Sequence, residues 1–358
     1  IRDPVRHGCA GRRSVTAVLF DDPVYGEVRF TEPLLVDLYA SEAVQRLRAI
    51  HQGGITAFIR PERRTTRHDH SLGVAALLKR LGADVVEQAA GLLHDVAHTA
   101  FSHVVDFVFP NQDHVYHEIH REESIARSDL PAILEKHGLD WRWVTNADNF
   151  LLLEQPLPWL CADRLGYFLR DAVVDFALVS RDDARTLLDH LRPWQDRIVV
   201  DDIPTARWLG ERFIDLDDRC WCSTQEVGWY AVMARALRTA LEHGIIVEDD
   251  FAGTDADLLA RLREARDPDI DRWLALLQPQ VDFERLSDGR EEDGVLFVLP
   301  KVRAIDPPVL VDGQALPLSQ LDPGFARRRQ HYIDSKVGPW HLRTVSGGDS
   351  SRDPLPSA

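Results

Sequence analysis

Lysine, methionine and cysteine are scarce in this chain of 358 residues. Only four of its 42 basic residues are lysines, and it has a single methionine. Its four cysteines, Cys9, Cys161, Cys220 and Cys222, are too few to be a disulfide scaffold. No stretch approaches the ~20 apolar residues of a membrane span, and no secretory signal opens the chain. We therefore expect a cytoplasmic protein that keeps its thiols reduced and does not enter a membrane.

Positive charge is also in deficit. The 58 acidic residues outnumber the 42 basic ones and give a formal net charge of −16. The mean field of such a chain repels polyanions, which argues against nucleic acid as a partner but not against a local basic pocket. The hydrophobic share of 44% and the charged share of 28% are typical of a globular protein.

Helical periodicity dominates the chain up to about residue 280. The sequence predicts a mainly α fold with four parts: a flexible arm over 1–16, a helical region over 17–280, a small mixed α/β lobe over 281–345 and a disordered tail over 346–358. The segment 85–100 is almost wholly apolar or small apart from its histidines, its acids and Gln88. This pattern predicts a central core helix.

Histidine is concentrated in one part of the chain, because eight of the 15 histidines lie between positions 68 and 120. The pair His94-Asp95 in this span offers one imidazole and one carboxylate, which suit Mn, Fe, Co, Zn or Ni better than a thiol-loving ion. Two ligands are too few for a metal site. A second histidine and a second carboxylate from distant segments would complete four ligands, and the candidates are His70 and Asp163.

Six blocks follow one another along the chain: DPVYG at 22–26, QRLRAI at 45–50, RHDHSLG at 67–73, GLLHDVAHTAFSH at 91–103, DRLGYFLRD at 163–171 and RAIDP at 303–307. In order and spacing they resemble the HD-domain metal phosphohydrolases, in the branch of the deoxynucleoside triphosphate (dNTP) triphosphohydrolases. The resemblance extends over most of the chain. It implies that the helical region has an HD-domain helical core.

The resemblance also implies one divalent metal ion, held by His70, His94, Asp95 and Asp163. Mn or Fe is favoured, and Co, Ni, Zn or Mg are possible. The metal would lower the pKa of water and offset the charge of a phosphate, which allows hydrolysis at neutral pH. Asp95 is therefore expected to be catalytic as well as metal-binding.

Three histidines outside the metal set are implied to orient the phosphate or to protonate the leaving oxygen. Two of them are His98 and His103. For the third, later histidine we prefer His120, because Ser124 follows it by four residues as in the family. His117-Glu118 keeps the family's dipeptide instead, and the choice stays open at this point.

The substrate implied by the resemblance is a nucleotide-like phosphorylated small molecule. Arg67 and Arg164 would contact its phosphate oxygens, for which guanidinium groups are shaped. Tyr167 and Asp171 would hold the sugar, and Gln52 would touch the base or the sugar. Family members commonly form homo-oligomers, so the same is implied here.

One departure from the family concerns the outer phosphates. In the triphosphohydrolases, a helix after the sugar-binding region carries Arg, His, Tyr and His-Lys, which grip these phosphates. The matching stretch here, CWCSTQEVGWYAVMAR at 220–235, has no lysine or histidine, and its arginine is at the far end. Each lost charge-assisted contact removes about 1.5–3 kcal/mol. This points to fewer phosphates, a different leaving group or another loop that supplies the cations.

The expected activity is therefore metal-dependent phosphohydrolysis. The best candidate is a dNTP triphosphohydrolase that releases nucleoside and triphosphate. One alternative is a nucleotide or sugar phosphatase that releases orthophosphate. Another alternative is a non-catalytic, nucleotide-binding regulatory module, which would be expected to have a damaged metal set.

Overall fold

The computed structural model describes residues 16–109, 116–286 and 295–346. Its fold is mainly α, as the sequence predicts. The arm predicted over 1–16 and the tail predicted over 346–358 lie almost wholly outside the described residues.

The described residues contain 18 α-helices. In chain order these are α1 (Pro33–Tyr39), α2 (Glu42–Arg46), α3 (Thr56–Ile59), α4 (Arg67–Arg80), α5 (Val85–Leu93), α6 (Val104–Val108), α7 (Tyr116–Ile119), α8 (Arg121–Ala126), α9 (Leu130–Lys136), α10 (Trp141–Val144), α11 (Ala162–Arg170), α12 (Arg181–His190), α13 (Ile203–Arg219), α14 (Thr224–Glu242), α15 (Asp255–Glu264), α16 (Pro268–Leu274), α17 (Leu318–Leu321) and α18 (Pro323–Lys336). Short 3-10 turns occur at Leu47–Ala49, Ala147–Asn149 and Glu248–Ala252, and a π-helical turn, Asp171–Asp175, continues α11.

Nine strands in the same residues form three small sheets. These are the hairpin β1 (Val18–Asp22) and β2 (Gly26–Phe30), the four-stranded sheet β3 (Leu191–Trp194), β4 (Arg197–Val200), β7 (Pro308–Val311) and β8 (Gln314–Pro317), and the three-stranded sheet β5 (Val281–Arg285), β9 (Trp340–Ser346) and β6 (Leu296–Val298). Strands β4 and β7 pair in parallel, with Val200 opposite Val309. One sheet therefore crosses the boundary predicted at residue 281, and that boundary stays a prediction.

Helices α4, α5 and α11 pack together and carry the site. Helix α4 begins with a capping box formed by Thr66 and Asp69. The Thr66 hydroxyl accepts a hydrogen bond from the Asp69 amide, and the Asp69 carboxylate accepts one from the Thr66 amide. Gly166 lets α11 approach closely. A Cβ at this position would lie 2.8 Å from a Val74 methyl and 3.3 Å from the His70 ring. Any larger residue would push α11 away from His70.

The predicted core helix 85–100 is shorter in the structure, because α5 ends at Leu93. The chain then forms tight turns, in which the Val96 and His98 amides donate to the carbonyls three residues earlier. At the far end of the predicted helix, the Ala100 amide donates to the Phe251 carbonyl at 2.8 Å, and the Phe101 amide donates to the Asp255 carboxylate at 2.6 Å. Contacts with a segment about 150 residues away therefore replace helical bonds there.

Helix α14 lies between the cavity described below and the C-terminal sheet. Gly228 on this helix meets the ring of Phe283 on β5, and a Cβ at Gly228 would overlap that ring. Because no side chain separates them, the helix backbone rests directly on the sheet.

Candidate active site

The four predicted metal ligands come together from three segments. His70 lies on α4, His94 and Asp95 follow the end of α5, and Asp163 lies on α11. The Nε2 atoms of His70 and His94 are 3.2 Å apart, and Asp163 Oδ1 lies 2.8 Å from the first and 3.3 Å from the second. The Asp95 carboxylate lies 3.7 Å from His70 Nε2 and 3.5 Å from His94 Nε2. Two imidazoles and two carboxylates thus face one small volume.

This donor set fits a divalent cation. The Gly91 carbonyl lies 2.7 Å from His94 Nδ1 and favours the proton on that nitrogen, which leaves the Nε2 lone pair directed at the shared volume. Burial alone would lower the pKa of His94, but Asp95 and Asp163 outweigh burial and raise the pKa to about 9. The same negative charge stabilises a metal ion at this point.

Arg67 is bonded to a metal-ligand residue. Its guanidinium donates to Asp95 Oδ2 at 2.9 Å and to Ser102 Oγ at 3.0 Å. Burial would raise the pKa of Asp95, but Arg67, His94 and His98 outweigh burial and hold that pKa well below its ordinary value. The guanidinium lines the cavity as predicted, but any contact with phosphate would be shared with Asp95.

Three further histidines line the cavity beside Asp95. His98 Nε2 lies 3.2 Å from Asp95 Oδ1. The ring of His117 stacks on His98 with 3.9 Å between centroids, and His103 meets His98 edge-on at 5.0 Å. Burial is the main cause that lowers the pKa of all three, and it brings that of His103 to about 4. All three imidazoles are therefore neutral at pH 7.

The later histidine of the sequence analysis is at a different position from the preferred one. His117 on α7 faces the cavity, whereas His120 follows the end of that helix and packs on the Tyr116 ring at 4.3 Å. His120 does not line the cavity. The preference for His120 is therefore not supported by its placement. His120 lies between α7 and α8, where its ring packs on Tyr116.

Arg164 lines the cavity, but its guanidinium is mostly engaged with the protein. It donates to the backbone carbonyls of Gln155 and Trp159 at 3.1 and 2.6 Å and lies 3.6 Å from the Glu154 carboxylate. These bonds fix the guanidinium beside Asp163. Arg164 therefore contributes positive charge to the cavity, and few of its N–H groups are left to donate to a ligand.

The residues predicted to hold the sugar and base lie together. Asp171 accepts a hydrogen bond from the Trp221 indole at 2.7 Å and from the Gln52 amide at 3.4 Å. Tyr167 meets Trp221 edge-on, with 4.9 Å between centroids, and lies 6.5 Å from the His70 ring. A polar floor of carboxylate, amide and indole thus adjoins the metal ligands.

Carboxyl groups dominate one end of the cavity. Burial is the main cause that raises the pKa of Asp171 to about 8, of Asp175 to about 6 and of Glu226 to about 7. Glu226 accepts from Thr56 Oγ1 at 2.5 Å and lies 3.3 Å from the Arg63 guanidinium. This acidic end, formed by Asp171, Asp175 and Glu226, favours hydrogen-bond donors and disfavours a phosphate.

Apart from His70, the metal-ligand candidates line one cavity together with the neighbouring histidines, the two arginines and the acidic end. Its volume is about 260 Å³, close to the lower end of the usual range for small-molecule sites, ~300–1,000 Å³. Helix α14 contributes Glu226 and Tyr230 to its wall and no cation, in line with the departure found in the sequence. Sequence reasoning missed several wall residues: Arg63, Arg121, Asp175, Glu226, Lys301 and Arg303. The signal for two of them was present, since Lys301 and Arg303 flank the start of the RAIDP block.

Comparisons with known proteins identify the family of the chain. The HD domain family model matches residues 67–155, which include three of the four metal-ligand candidates. The metal-dependent phosphohydrolase cns2 of Cordyceps militaris is 36% identical over 334 residues, which cover 90% of this chain and 94% of that protein. The chain belongs to the HD-domain metal-dependent phosphohydrolases. This HD phosphohydrolase is therefore a phosphoric ester hydrolase that depends on a divalent metal.

Two other relatives differ in how much of the HD phosphohydrolase they match. The uncharacterized protein YdhJ of Bacillus subtilis is 38% identical over 292 residues, which cover 81% of this chain and 88% of that protein. The deoxynucleoside triphosphate triphosphohydrolase SAMHD1 of Gallus gallus is 33% identical over 144 residues, which cover 34% of this chain and 23% of that protein. Likeness to SAMHD1 is thus confined to a part of the HD phosphohydrolase.

A solved structure shares the fold. The phosphohydrolase from Bacteroides thetaiotaomicron superposes with a TM-score of 0.66 at 18% identity, over 91% of this chain and 99% of that chain.

Among residues 16–109, 116–286 and 295–346, no helix is both long enough and apolar enough to cross a membrane.

Proposed function

We propose that this HD phosphohydrolase cleaves a phosphoester bond of a nucleotide-like substrate and that dNTPs are its first candidate substrates. One observation carries the proposal: His94, Asp95 and Asp163 share the wall of one cavity with His98, His103 and His117, and His70 adjoins the first three at 2.8 to 3.7 Å. The adjoining floor of Asp171, Gln52 and Trp221 offers hydrogen bonds to a sugar or base.

Each group of residues has a role in this proposal. A divalent metal, when held by His70, His94, Asp95 and Asp163, lowers the pKa of water and offsets phosphate charge. Arg67 keeps the Asp95 carboxylate in place through its hydrogen bond.

The neighbouring histidines supply the proton chemistry. His98 and His117 face the same volume, and as neutral imidazoles they can take up the proton that the attacking water loses and pass it to the leaving oxygen. Asp106 accepts from His103 Nδ1 at 2.9 Å, so the Nε2 of His103 is left with its lone pair. We assign to His117 the role that the sequence analysis gave to His120.

Two candidate activities are compatible with this proposal. Support for dNTP triphosphohydrolysis comes from the six family-like blocks and from the partial likeness to a protein named as a dNTP triphosphohydrolase. A nucleotide or sugar phosphatase is the second candidate, because α14 presents Glu226 to the cavity where a grip on outer phosphates was expected.

One experiment separates the two candidates. Protein loaded with Mn²⁺ or Fe²⁺ is incubated with dNTPs, dNDPs, dNMPs and sugar phosphates, and the products are resolved by anion-exchange chromatography. Inorganic triphosphate supports the first candidate, and orthophosphate supports the second. The variant Asp95→Asn should be inactive, and Asp189→Asn on the surface should be active. If metal-loaded protein cleaves no member of the panel, the proposal is wrong.

A further inference from the structure

The C-terminal segment 300–303 forms part of the cavity wall and brings two cations, Lys301 and Arg303, to it. The Lys301 ammonium makes no hydrogen bond and no ion pair with any residue that the structure describes. Arg303 lies 4.0 Å from the Asp217 carboxylate and 5.7 Å from the Trp221 ring centroid. Lys301 thus lines the cavity without a close ion-pair partner among the described residues, and the Glu118 and Asp106 carboxylates attract its charge only from a distance.

Positive charge accumulates on this wall. Burial is the main cause that lowers the pKa of Lys301, and repulsion from Arg303 and Arg164 adds to it, against the attraction of Glu118. Arg164 is already bonded to backbone carbonyls, so it contributes charge rather than flexible donors. Mutually repelling cations beside a cavity are stabilised when an anion binds among them.

The backbone that carries these cations is fixed to the helical region. The Arg303 amide donates to Asp217 Oδ2 at 2.8 Å, and the Asp306 amide donates to the Pro158 carbonyl at 2.9 Å. The Arg329 guanidinium of α18 donates to the carbonyls of residues 304 and 305, both at 3.0 Å. The segment is therefore a rigid wall, and little ordering is needed when a ligand binds.

Carboxyl groups and cations are concentrated on different segments of the cavity wall. The acidic end lies on the π-helical turn and on α14, with Arg63 beside Glu226. Lys301, Arg303 and Arg164 lie on the C-terminal segment and on α11, with Glu118 and Glu154 near them. A phosphorylated substrate lowers its energy when its phosphates face the cations and its hydroxyl and amino groups face the carboxyl groups.

We propose that Lys301 and Arg303 bind phosphate oxygens of the substrate beside the fixed charge of Arg164, so that the C-terminal lobe supplies the phosphate grip that α14 lacks. The inference rests on the proposed function in that it concerns the same cavity. It accounts for an acidic residue on α14, because the cations come from another segment.

The test measures the binding of inorganic anions that resemble the phosphate part of a nucleotide and contain no nucleoside. Isothermal titration calorimetry is carried out with orthophosphate and with inorganic tripolyphosphate on the metal-loaded protein. Lys301→Gln removes the charge without breaking a described bond, and we expect at least about tenfold weaker binding of tripolyphosphate. Lys301→Arg should restore most of the affinity. The matched control is Lys136→Gln, whose ammonium pairs with Asp37 at 2.6 Å on the surface, and it should bind as the wild type does.

Comparison of the two anions shows which phosphate Lys301 contacts. If Lys301→Gln loses the same affinity for both anions, Lys301 contacts the phosphate next to the metal. If it loses affinity for tripolyphosphate alone, Lys301 contacts a phosphate farther from the metal. Unchanged binding of both anions by Lys301→Gln, with an unchanged melting temperature, overturns the inference.

The binding test is independent of turnover. If tripolyphosphate binding depends on Lys301 but no nucleotide is cleaved, the proposed function fails and the inference stands. If nucleotides are cleaved and their KM does not rise in Lys301→Gln, the inference fails and the proposed function stands.

Discussion

The guanidinium of Arg67 donates to the carboxylate of Asp95 at 2.9 Å, and the side chains of the two residues are only 6% and 5% exposed. Asp95 is itself a metal-ligand candidate, and Arg67 is its hydrogen-bond partner. Asp95 therefore carries a buried negative charge whose compensation, apart from nearby imidazoles, comes from one arginine.

Removal of Arg67 should destabilise the metal-free protein. A buried charge that loses its partner costs about 3–5 kcal/mol, so we expect Arg67→Met to lower the free energy of unfolding by about 3 kcal/mol or more. A divalent metal should recover part of this loss because it compensates Asp95. Urea denaturation with and without EDTA measures both effects. Arg80→Met, which breaks the exposed pair with Asp189, should cost at most about 1 kcal/mol. Equal losses in the two variants would contradict the prediction.

Asp163 should be necessary for metal retention. Its Oδ1 lies within 3.3 Å of the Nε2 atoms of both His70 and His94, so Asp163→Asn weakens the shared negative charge. We expect wild-type protein reconstituted with Mn²⁺ to hold one equivalent per chain and Asp163→Asn to hold much less, as measured by elemental analysis after dialysis.

The control for this prediction uses a second group of possible ligands, His190, Asp201 and Asp202, which lies outside the cavity. Asp201 in this group also pairs with Arg192 at 2.8 Å. Asp201→Asn should therefore leave the metal content unchanged. Metal loss in Asp201→Asn but not in Asp163→Asn would place the ion at the other group.

His117 and His120 should differ in their effect on turnover. His117 stacks on His98 at the cavity wall, whereas His120 packs on Tyr116. General acid–base catalysis contributes about 10²–10⁴-fold, so we expect His117→Gln to lower kcat by about 100-fold or more. His120→Gln should lower it less than about threefold, because that ring does not reach the reacting groups. Steady-state kinetics on the best substrate of the panel decides, and a larger loss in His120→Gln would refute the assignment.

Glu226 should make the protein less stable as pH rises. Burial raises its pKa to about 7 in the folded state, above the ordinary glutamate value of 4.5, so the folded state binds the proton more tightly. Its contribution to stability is therefore present below about pH 4.5 and is lost as pH rises towards 7, by about 3 kcal/mol in total.

The variant Glu226→Gln removes this titration. We expect a shallower fall in the free energy of unfolding between pH 5 and 8, measured by urea denaturation, and part of the slope should persist because Asp171, Asp175 and Asp217 also have raised pKa values. Glu62→Gln at an exposed position should keep the wild-type slope. A wild-type slope in Glu226→Gln would show that Glu226 titrates normally.

The sequence predicted the mainly α fold, and the structure brings the four metal-ligand candidates close together, while their role as ligands stays a prediction. Their proximity could be anticipated because a metal site needs a fixed set of donors, and family-like blocks keep those donors recognisable although His70 and Asp163 are 93 positions apart. The expectation of buried, reduced thiols agrees with free and buried Cys161, Cys220 and Cys222, whereas Cys9 lies outside the described residues. A homo-oligomeric, cytoplasmic enzyme stays a prediction.

The rest depended on contacts that local patterns do not encode. The helix predicted over 85–100 gives way after Leu93 to tight turns, and the amides of Ala100 and Phe101 donate to distant groups at Phe251 and Asp255. The choice between His117 and His120 depended on the orientation of a single helical turn. Lys301 was missed for a similar reason, since only the tertiary fold brings a C-terminal segment to the cavity of the helical region.

The contact between Gly228 and Phe283 makes the catalytic half inseparable from the C-terminal sheet. A protein truncated after residue 280 would lose the ring that covers α14 only two positions from Glu226, and the helix would present bare backbone to water. Attempts to isolate a minimal catalytic fragment should therefore retain β5, β6 and β9, and exchange of C-terminal lobes between relatives should be matched at this one glycine.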